Sequence, residues 1–383
     1  MAQLFWFFAA VILYVYFGYP LLLTFRLLGA PTPWHRGYAK PLISVIVAAH
    51  NEECVIESKI KNLLSSDYPR ERVEVLIGSD GSSDSTEDIV RKFKDDGVGL
   101  ISFPQHQGKS AIQNGLAAKA SGSILVFTDA DCTLSVDALS CLVENFADEQ
   151  VGLVSGIPRY QNDRETSVAE NEGIYLRYET WLRTQESNFG LLAMASGSVF
   201  AMRRSLWKPL DPNVGDDFAL PLHVAMMRMR TVLDSRAIAI TRLTQNQSDS
   251  MFRLKIRIVS KDLRTLLANG RILNPFRYGA IATSLWSHKL LRWFVPYFLM
   301  ALFTSNIFLY HVPFYRAVFL AQLVFYGTAL IGFVLRNNKF ASPLFVPMSF
   351  CIVNLASLVG TAKCLFGRKS GKWKPVRKQS PAV

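Results

Sequence analysis

Two carboxylates separated by one residue close a short apolar run in Gly122–Cys132, GSILVFTDADC. Ile124, Leu125, Val126 and Phe127 are β-formers, bounded by Gly122 before and by Thr128, Asp129 and Asp131 after. Such a run predicts a strand buried on both faces, as in a sheet covered by helices. Ligands of open α/β sheets sit at the carboxyl ends of the strands. Asp129 and Asp131 therefore stand where chemistry would be done, and two hard oxygen ligands suit Mg²⁺ or Mn²⁺ carrying a diphosphate. Taken alone, an Asp-x-Asp is equally a turn with solvated acids, so its surroundings decide.

Two further strands end in polar residues. Leu42–Ala48 runs into His50, Asn51, Glu52 and Glu53, and Val73–Ile77 into Gly78-Ser79-Asp80-Gly81-Ser82. Val98–Phe103 is a third strand, and Gly108-Lys109 opens a helix through Ala120. A helix capped by Ser135 follows, with Val136, Leu139, Leu142 and Phe146 on one face, and then the strand Val151–Ile157. Alternating strands and helices imply right-handed crossovers and a mostly parallel sheet, an α/β fold. Three polar strand ends on one rim make a nucleotide pocket, while the glycine-rich P-loop and dinucleotide fingerprints are absent.

The following stretch differs in character. Glu165–Ser187 predicts a long helix with Tyr175, Tyr178, Trp181 and Leu182 as core positions. Ala195–Ala201 is small and strand-like and leads into Arg203. Gly215-Asp216-Asp217 precedes a helix starting at Phe218, where acids complement the dipole. Thr231–Ile240 is another strand. Met251–Leu267 is a basic amphipathic helix carrying Arg253, Lys255, Arg257, Lys261 and Arg264, a face suited to lipid headgroups.

The chain has 383 residues, half of them hydrophobic and unevenly placed. Leu4–Leu23 lacks any charge, and Trp293–Tyr310, Ala317–Leu335 and Phe340–Ala362 are nearly as apolar. Each is near the ~20 residues that cross a bilayer as a helix. An integral membrane protein with one globular domain is expected: an N-terminal transmembrane helix in 1–29, a proline-bearing linker in 30–41, the globular domain in 42–272, and an interfacial helix, transmembrane helices and basic tail in 273–383. Met1-Ala2-Gln3 gives no basic n-region, so the first segment reads as an anchor rather than a cleaved signal. Arg26, Arg36 and Lys40 follow it, which puts the N-terminus outside and the globular domain in the cytoplasm, at the inner membrane of the cell. The basic tail after Gly367 then asks for the cytoplasmic side, and Pro343, Pro347 and Asn354 suggest that Phe340–Ala362 is re-entrant. The net charge of +12 is explained by basic residues beside the apolar spans, where membrane lipids are the partner and nucleic acid is not. The five cysteines and six histidines show no metal-ligand spacing, which argues for free thiols and against zinc.

In this order the motifs resemble the inverting, membrane-bound family 2 glycosyltransferases of GT-A fold, the cellulose, chitin and hyaluronan synthase superfamily. The resemblance covers about 40–270. Ser44–Glu52 is similar to the first strand of that family, Ser79-Asp80-Gly81-Ser82 to its uridine-binding Asp-Gly-Ser, and Gly108-Lys109 with Asn114 to its Gly-Lys helix. Asp129-Ala130-Asp131 resembles the metal-binding Asp-x-Asp, Gly197–Arg203 the acceptor-side strand, and Gly215-Asp216-Asp217 the motif whose second acid is the catalytic base. The resemblance implies Asp217 as base, a divalent metal (Mg²⁺ or Mn²⁺) on Asp131 and Asp129, and Asn51, Glu52, Asp80, Lys109, Gly197, Asp216 and Arg257 at the substrates. The expected partners are a nucleotide-sugar donor, most of all a UDP-sugar, a glycan or lipid-linked acceptor, and polysaccharide-export proteins. The expected activity is inverting sugar transfer in cell-surface polysaccharide synthesis. The alternatives are a polyprenyl-phosphate glycosyltransferase and a non-catalytic membrane subunit. The Gln-x-x-Arg-Trp of the processive synthases is broken here, with Leu254, Arg257 and Ile258 at its positions.

Overall fold

The computed structural model describes residues 1–162, 167–243, 247–335 and 344–367. The chain divides into two units, one containing Thr32–Gln161 and Gly190–Thr244, the other Met1–Pro31, Asn162–Phe189 and Gln245–Arg368.

The first of these units is built on an eight-stranded sheet. Its strands are β1 (Ile43–Ala49), β2 (Val73–Asp80), β3 (Val98–Phe103), β4 (Ile124–Thr128), β5 (Cys132–Leu134), β6 (Val151–Asn162), β7 (Val199–Arg203) and β8 (Arg230–Leu243). The order is β3-β2-β1-β4-β7-β6-β8-β5. β3, β2, β1 and β4 run parallel. β7 pairs antiparallel with β4 and β6, and β5 antiparallel with β8. The sheet is therefore mixed, where strand–helix alternation alone predicted a mostly parallel one. β7 arrives from a long excursion through the Ser167–Asn188 helix rather than from a simple crossover, so its direction is free to reverse.

Period-2 alternation feeds two separate cores. Ile43, Val45, Val47, Val75, Ile77, Ile124 and Val126 point into one. Ile46, Leu76, Leu125, Phe127, Phe200 and Met202 point into the other. Both faces of β4 are thereby buried, which is why its sequence is apolar without interruption. Phe127 stacks on Phe200 at 4.9 Å and on Trp207 at 5.2 Å. The helix expected from Ser135 begins later, at Ala138–Glu144, and Val136 is exposed. Ser135 instead bonds β8, its N–H donating to the Ile238 carbonyl at 2.9 Å, which keeps it out of the cap.

In the other unit, four helices among the described residues are long and apolar enough to cross a membrane: Ala2–Thr24, Ala280–Phe308, Pro313–Val334 and Phe345–Phe366. The last is continuous, without the break that its prolines suggested. Pro343 lies outside the described residues, and Pro347 falls in the first turn, where a missing N–H leaves no helical bond unmade. Asn354 bonds the Phe350 carbonyl of its own helix at 2.9 Å. The basic helix spans Gln247–Ala268 and packs against Phe345–Phe366, so Ile256, Val259, Leu263 and Leu266 are buried. That apolar stripe draws the helix into this unit, although the sequence counts it within the 42–272 domain.

A polar centre sits among these helices. Glu186 Oε1 accepts from Tyr19 Oη at 2.8 Å and Ser284 Oγ at 2.9 Å, and lies 2.8 Å from His288 Nδ1. His288 Nε2 lies 3.0 Å from Glu179 Oε1, and Arg292 Nη1 donates to Glu179 Oε2 at 2.9 Å. Burial opposes ionisation of Glu179, but the His288 and Arg292 charges outweigh it and hold the carboxyl well below the usual range. Glu179→Gln removes the buried carboxylate that both Arg292 and His288 face. The expected loss is about 3–5 kcal/mol, read as a lowered thermal midpoint in detergent. Because the folded pKa is depressed, the stability contributed by Glu179 is complete above its unfolded pKa and is lost as pH falls through the folded value. An unchanged midpoint in the variant at neutral pH would show the network to be energetically neutral.

Candidate active site

The first group to be positioned is Asp80, at the end of β2. It is 2% exposed, and its carboxylate accepts from the main-chain N–H groups of Gln107 at 2.6 Å and Gly108 at 2.8 Å. His106 Nδ1 lies 2.9 Å from Asp80 Oδ2. Gly81 makes this approach feasible: its φ is +62°, and a Cβ there would stand 2.9 Å from the His106 nitrogen. Asp80 thus holds the His106–Gly108 loop that opens the Lys109–Lys119 helix.

β1 ends in a second ordered corner. Asn51 takes a left-handed conformation, φ +54°, which a short amide side chain tolerates. Its Oδ1 accepts from the Ser83 N–H at 2.8 Å, and its own N–H donates to Ser82 Oγ at 3.2 Å. The Glu52 N–H donates to Thr86 Oγ1 at 2.9 Å. Asn51 and Glu52 are thereby tied to the segment that follows Asp80.

The third group joins distant parts of the chain. Lys109 Nζ donates to Asp129 Oδ1 at 2.8 Å and lies 3.2 Å from Asp216 Oδ2. Gln113 Nε2 donates to the same Asp216 oxygen at 2.6 Å. Burial works against the Lys109 charge, but Asp129 and Asp216 prevail and raise its pKa. Asp216 responds in kind: burial would raise its pKa, yet Lys109 and the Gln113 amide hold it below the usual range. Asp216 and Asp217 are the first two residues of the Asp216–Met226 helix, which starts two positions earlier than the sequence suggested. Asp217 is half-buried, and its main-chain carbonyl accepts from the Ala195 N–H at 2.7 Å. A Cβ on Gly197 would lie 3.5 Å from Asp217 Oδ2, so Gly197 sits directly against this carboxylate. The Ser198 carbonyl accepts from Thr128 Oγ1 at 2.9 Å and from the Asp129 N–H at 3.4 Å.

Asn51, Glu52, Asp80, Lys109, Asp129, Asp131, Gly197, Asp216 and Asp217 all lie in the sheet unit. Hydrogen bonds join Asn51 and Glu52 to the segment after β2, and they join Lys109, Asp129 and Asp216 to one another. Arg257 stands on the Gln247–Ala268 helix of the other unit, half-buried. Sequence reasoning passed over His106, Gln113 and Lys59. For Gln113 the usable signal is its i, i+4 offset from Lys109 on one helix face.

Asp129 and Asp131 are both half-buried, and no third His, Cys, Asp or Glu joins them in a metal-binding group among the described residues. Two half-buried carboxylates supply hard oxygen ligands of the kind Mg²⁺ or Mn²⁺ takes beside diphosphate oxygens and water. The ammonium of Lys109 on Asp129 occupies one of those oxygens in this structure.

Residues 44–210 match the family model described as Glycosyl transferase family 2. These residues are a family 2 glycosyltransferase domain. Its relatives include "Probable glycosyltransferase YdaM" of Bacillus subtilis (strain 168), 32% identical over 196 residues, covering 48% of this chain and 46% of that protein. "Beta-monoglucosyldiacylglycerol synthase" of Trichormus variabilis is 30% identical over 168 residues, covering 43% of this chain and 36% of that protein. "Poly-beta-1,6-N-acetyl-D-glucosamine synthase" of Staphylococcus aureus (strain MSSA476) is 33% identical over 122 residues, covering 31% of this chain and 29% of that protein. The chain thus spans less than half the length of the curated relatives it matches. A mannosyltransferase, PcManGT from Pyrobaculum calidifontis, solved with GDP-Man and Mn²⁺, shares the fold with a TM-score of 0.71. It is 23% identical, and the match covers 95% of this chain and 99% of that one. The family 2 domain of this protein is therefore GT-A-like, and four span-length helices accompany it.

Proposed function

We propose that this protein moves a sugar from a nucleotide-sugar donor to a glycan or lipid-linked acceptor at the membrane, by a single in-line displacement that inverts the anomeric carbon. The observation that carries this reading is the pairing of Lys109 with Asp129 and Asp216, with the Asp217 carboxylate beside it against Gly197. Asp129 and Asp216 bond the Lys109 ammonium directly, and Asp217 is the half-buried carboxylate next to them. Asp217 is the base that takes the proton of the acceptor hydroxyl as the new bond forms. Asp129 and Asp131 would hold Mg²⁺ or Mn²⁺. Such an ion, when bound, neutralises charge developing on the leaving nucleoside diphosphate. Lys109 is a further cation for that diphosphate, and Arg257 is assigned the same task from its match to the arginine of the processive motif. Asn51 and Glu52 flank the nucleoside, Asp80 fixes the loop that presents Lys109, and Gly197 leaves the space in which acceptor meets base. A UDP-sugar is the preferred donor on the Ser79–Ser82 resemblance. Membrane attachment on the cytoplasmic side suits a product that is lipid-linked or exported.

A panel of labelled UDP- and GDP-sugars supplied to membranes containing the full chain tests this, with Asp217→Asn as control. Transfer of label into a lipid or glycan fraction from one donor is expected. Label released only as free sugar, equally in both proteins, would reject it. Ile258, 40% exposed, replaces the Trp on which a processive enzyme stacks its acceptor. One or a few sugars are therefore added per encounter. Early products resolved by size should be short while unused acceptor remains, and long chains at that stage would contradict the assignment.

A further inference from the structure

The Ile56–Leu64 helix turns a lysine into the core. Lys59 is 2% exposed, among Ile56, Ile60 and Leu63. Burying an ammonium is costly unless each of its three donors finds an acceptor. Here Nζ donates to Thr128 Oγ1 at 2.8 Å, to the Cys132 carbonyl at 2.8 Å and, at 3.5 Å, towards Cys132 Sγ. None of these acceptors is an acid. They are the residues on either side of Asp129-Ala130-Asp131.

One turn farther along the same helix, Asn62 grips the chain just beyond. Its Nδ2 donates to the Leu134 carbonyl at 2.9 Å, and its Oδ1 accepts from the Leu134 N–H at 2.8 Å. β5 is three residues long and lies at the edge of the sheet, paired with β8. Asn62 therefore bonds β5 as a neighbouring strand would. A three-residue edge strand is a weak anchor by itself. Positions 59 and 62, three apart, lie on one face of the helix and hold the acidic turn and its continuation from beneath.

We propose that Lys59 and Asn62 are positioning residues for the metal–diphosphate site: together they fix the turn so that Asp129 and Asp131 face the same ion. This inference rests on the donor-site reading above. It also has a definite sign. If the Lys59 charge merely repelled a metal, removing it would tighten metal binding. If Lys59 orders the turn, removing it weakens binding.

The test uses the full-length protein in detergent, with Mn²⁺ titrated in the presence of UDP or GDP and free Mn²⁺ read by electron paramagnetic resonance. Lys59→Met keeps the length of the side chain and removes the charge. It should raise the half-saturating Mn²⁺ concentration by roughly 10–100-fold, the cost typical of losing an outer support of a metal ligand. Asn62→Ala should shift it in the same direction while leaving the buried ammonium in place, and it carries the test alone if Lys59→Met does not fold. Folded variants with unchanged or tighter Mn²⁺ binding overturn the inference while the donor-site reading stands. A parent protein that retains Mn²⁺ with neither nucleotide rejects that reading, and this inference with it.

Discussion

Asp217→Asn should lower sugar transfer by roughly 10²–10⁴-fold, the range contributed by a positioned general base. Donor binding should change little. The substitution keeps volume and shape and removes the charge and with it the ability to take a proton. One contact of residue 217 is retained in any case, because the Ala195 N–H donates to its main-chain carbonyl rather than to the carboxylate. Asp216 carries the ionic work in this corner, bonded to both Lys109 and Gln113. Loss of charge at 217 should therefore leave those contacts in place. Donor affinity measured by displacement of labelled nucleotide, beside single-turnover transfer, separates the outcomes. Lost affinity with normal transfer per bound donor would make Asp217 structural.

Asp131→Asn should be of comparable severity for a different reason. On the proposed metal site it would remove one of two charged oxygen ligands. Losing several kcal/mol of charge stabilisation at the leaving diphosphate corresponds to roughly 10³-fold in turnover, at about 1.36 kcal/mol per tenfold. Asp131 is half-buried on the turn between β4 and β5, so the fold should survive the change. The defect should be partly reversed by higher Mn²⁺, and the parent protein should lose activity in excess EDTA and regain it on adding Mn²⁺ or Mg²⁺. Full activity in EDTA, or in the variant without added metal, would remove the metal from the reading.

The elements that carry the acidic turn were legible because their burial is complete. The Ile124–Thr128 strand touches two cores, and a strand buried on both faces is written as uninterrupted apolar residues. The corner residues Asn51, Asp80 and Asp129 were legible for a related reason: polar residues that end an apolar run mark where a strand leaves the core. The four long apolar segments followed from the length a bilayer requires.

Other features were decided in three dimensions. The reversal of β7 against β4 is absent from the local pattern, because both strand directions satisfy the same alternation of side chains. Asp80 reads as a ligand by its position at a strand end, yet its carboxylate is filled by the Gln107 and Gly108 N–H groups of a loop 27 and 28 residues away. Lys59 carries no sequence signal of its role, since a lysine on a helix is ordinarily solvated. Only the turn after β4, with its hydroxyl and carbonyl facing that helix, makes burial of the charge feasible. Sequence determines which segments leave water, since hydrophobic burial depends on residue type and period. Which polar groups meet inside is set by the packing of distant segments, since a hydrogen bond requires a partner at a definite distance and direction.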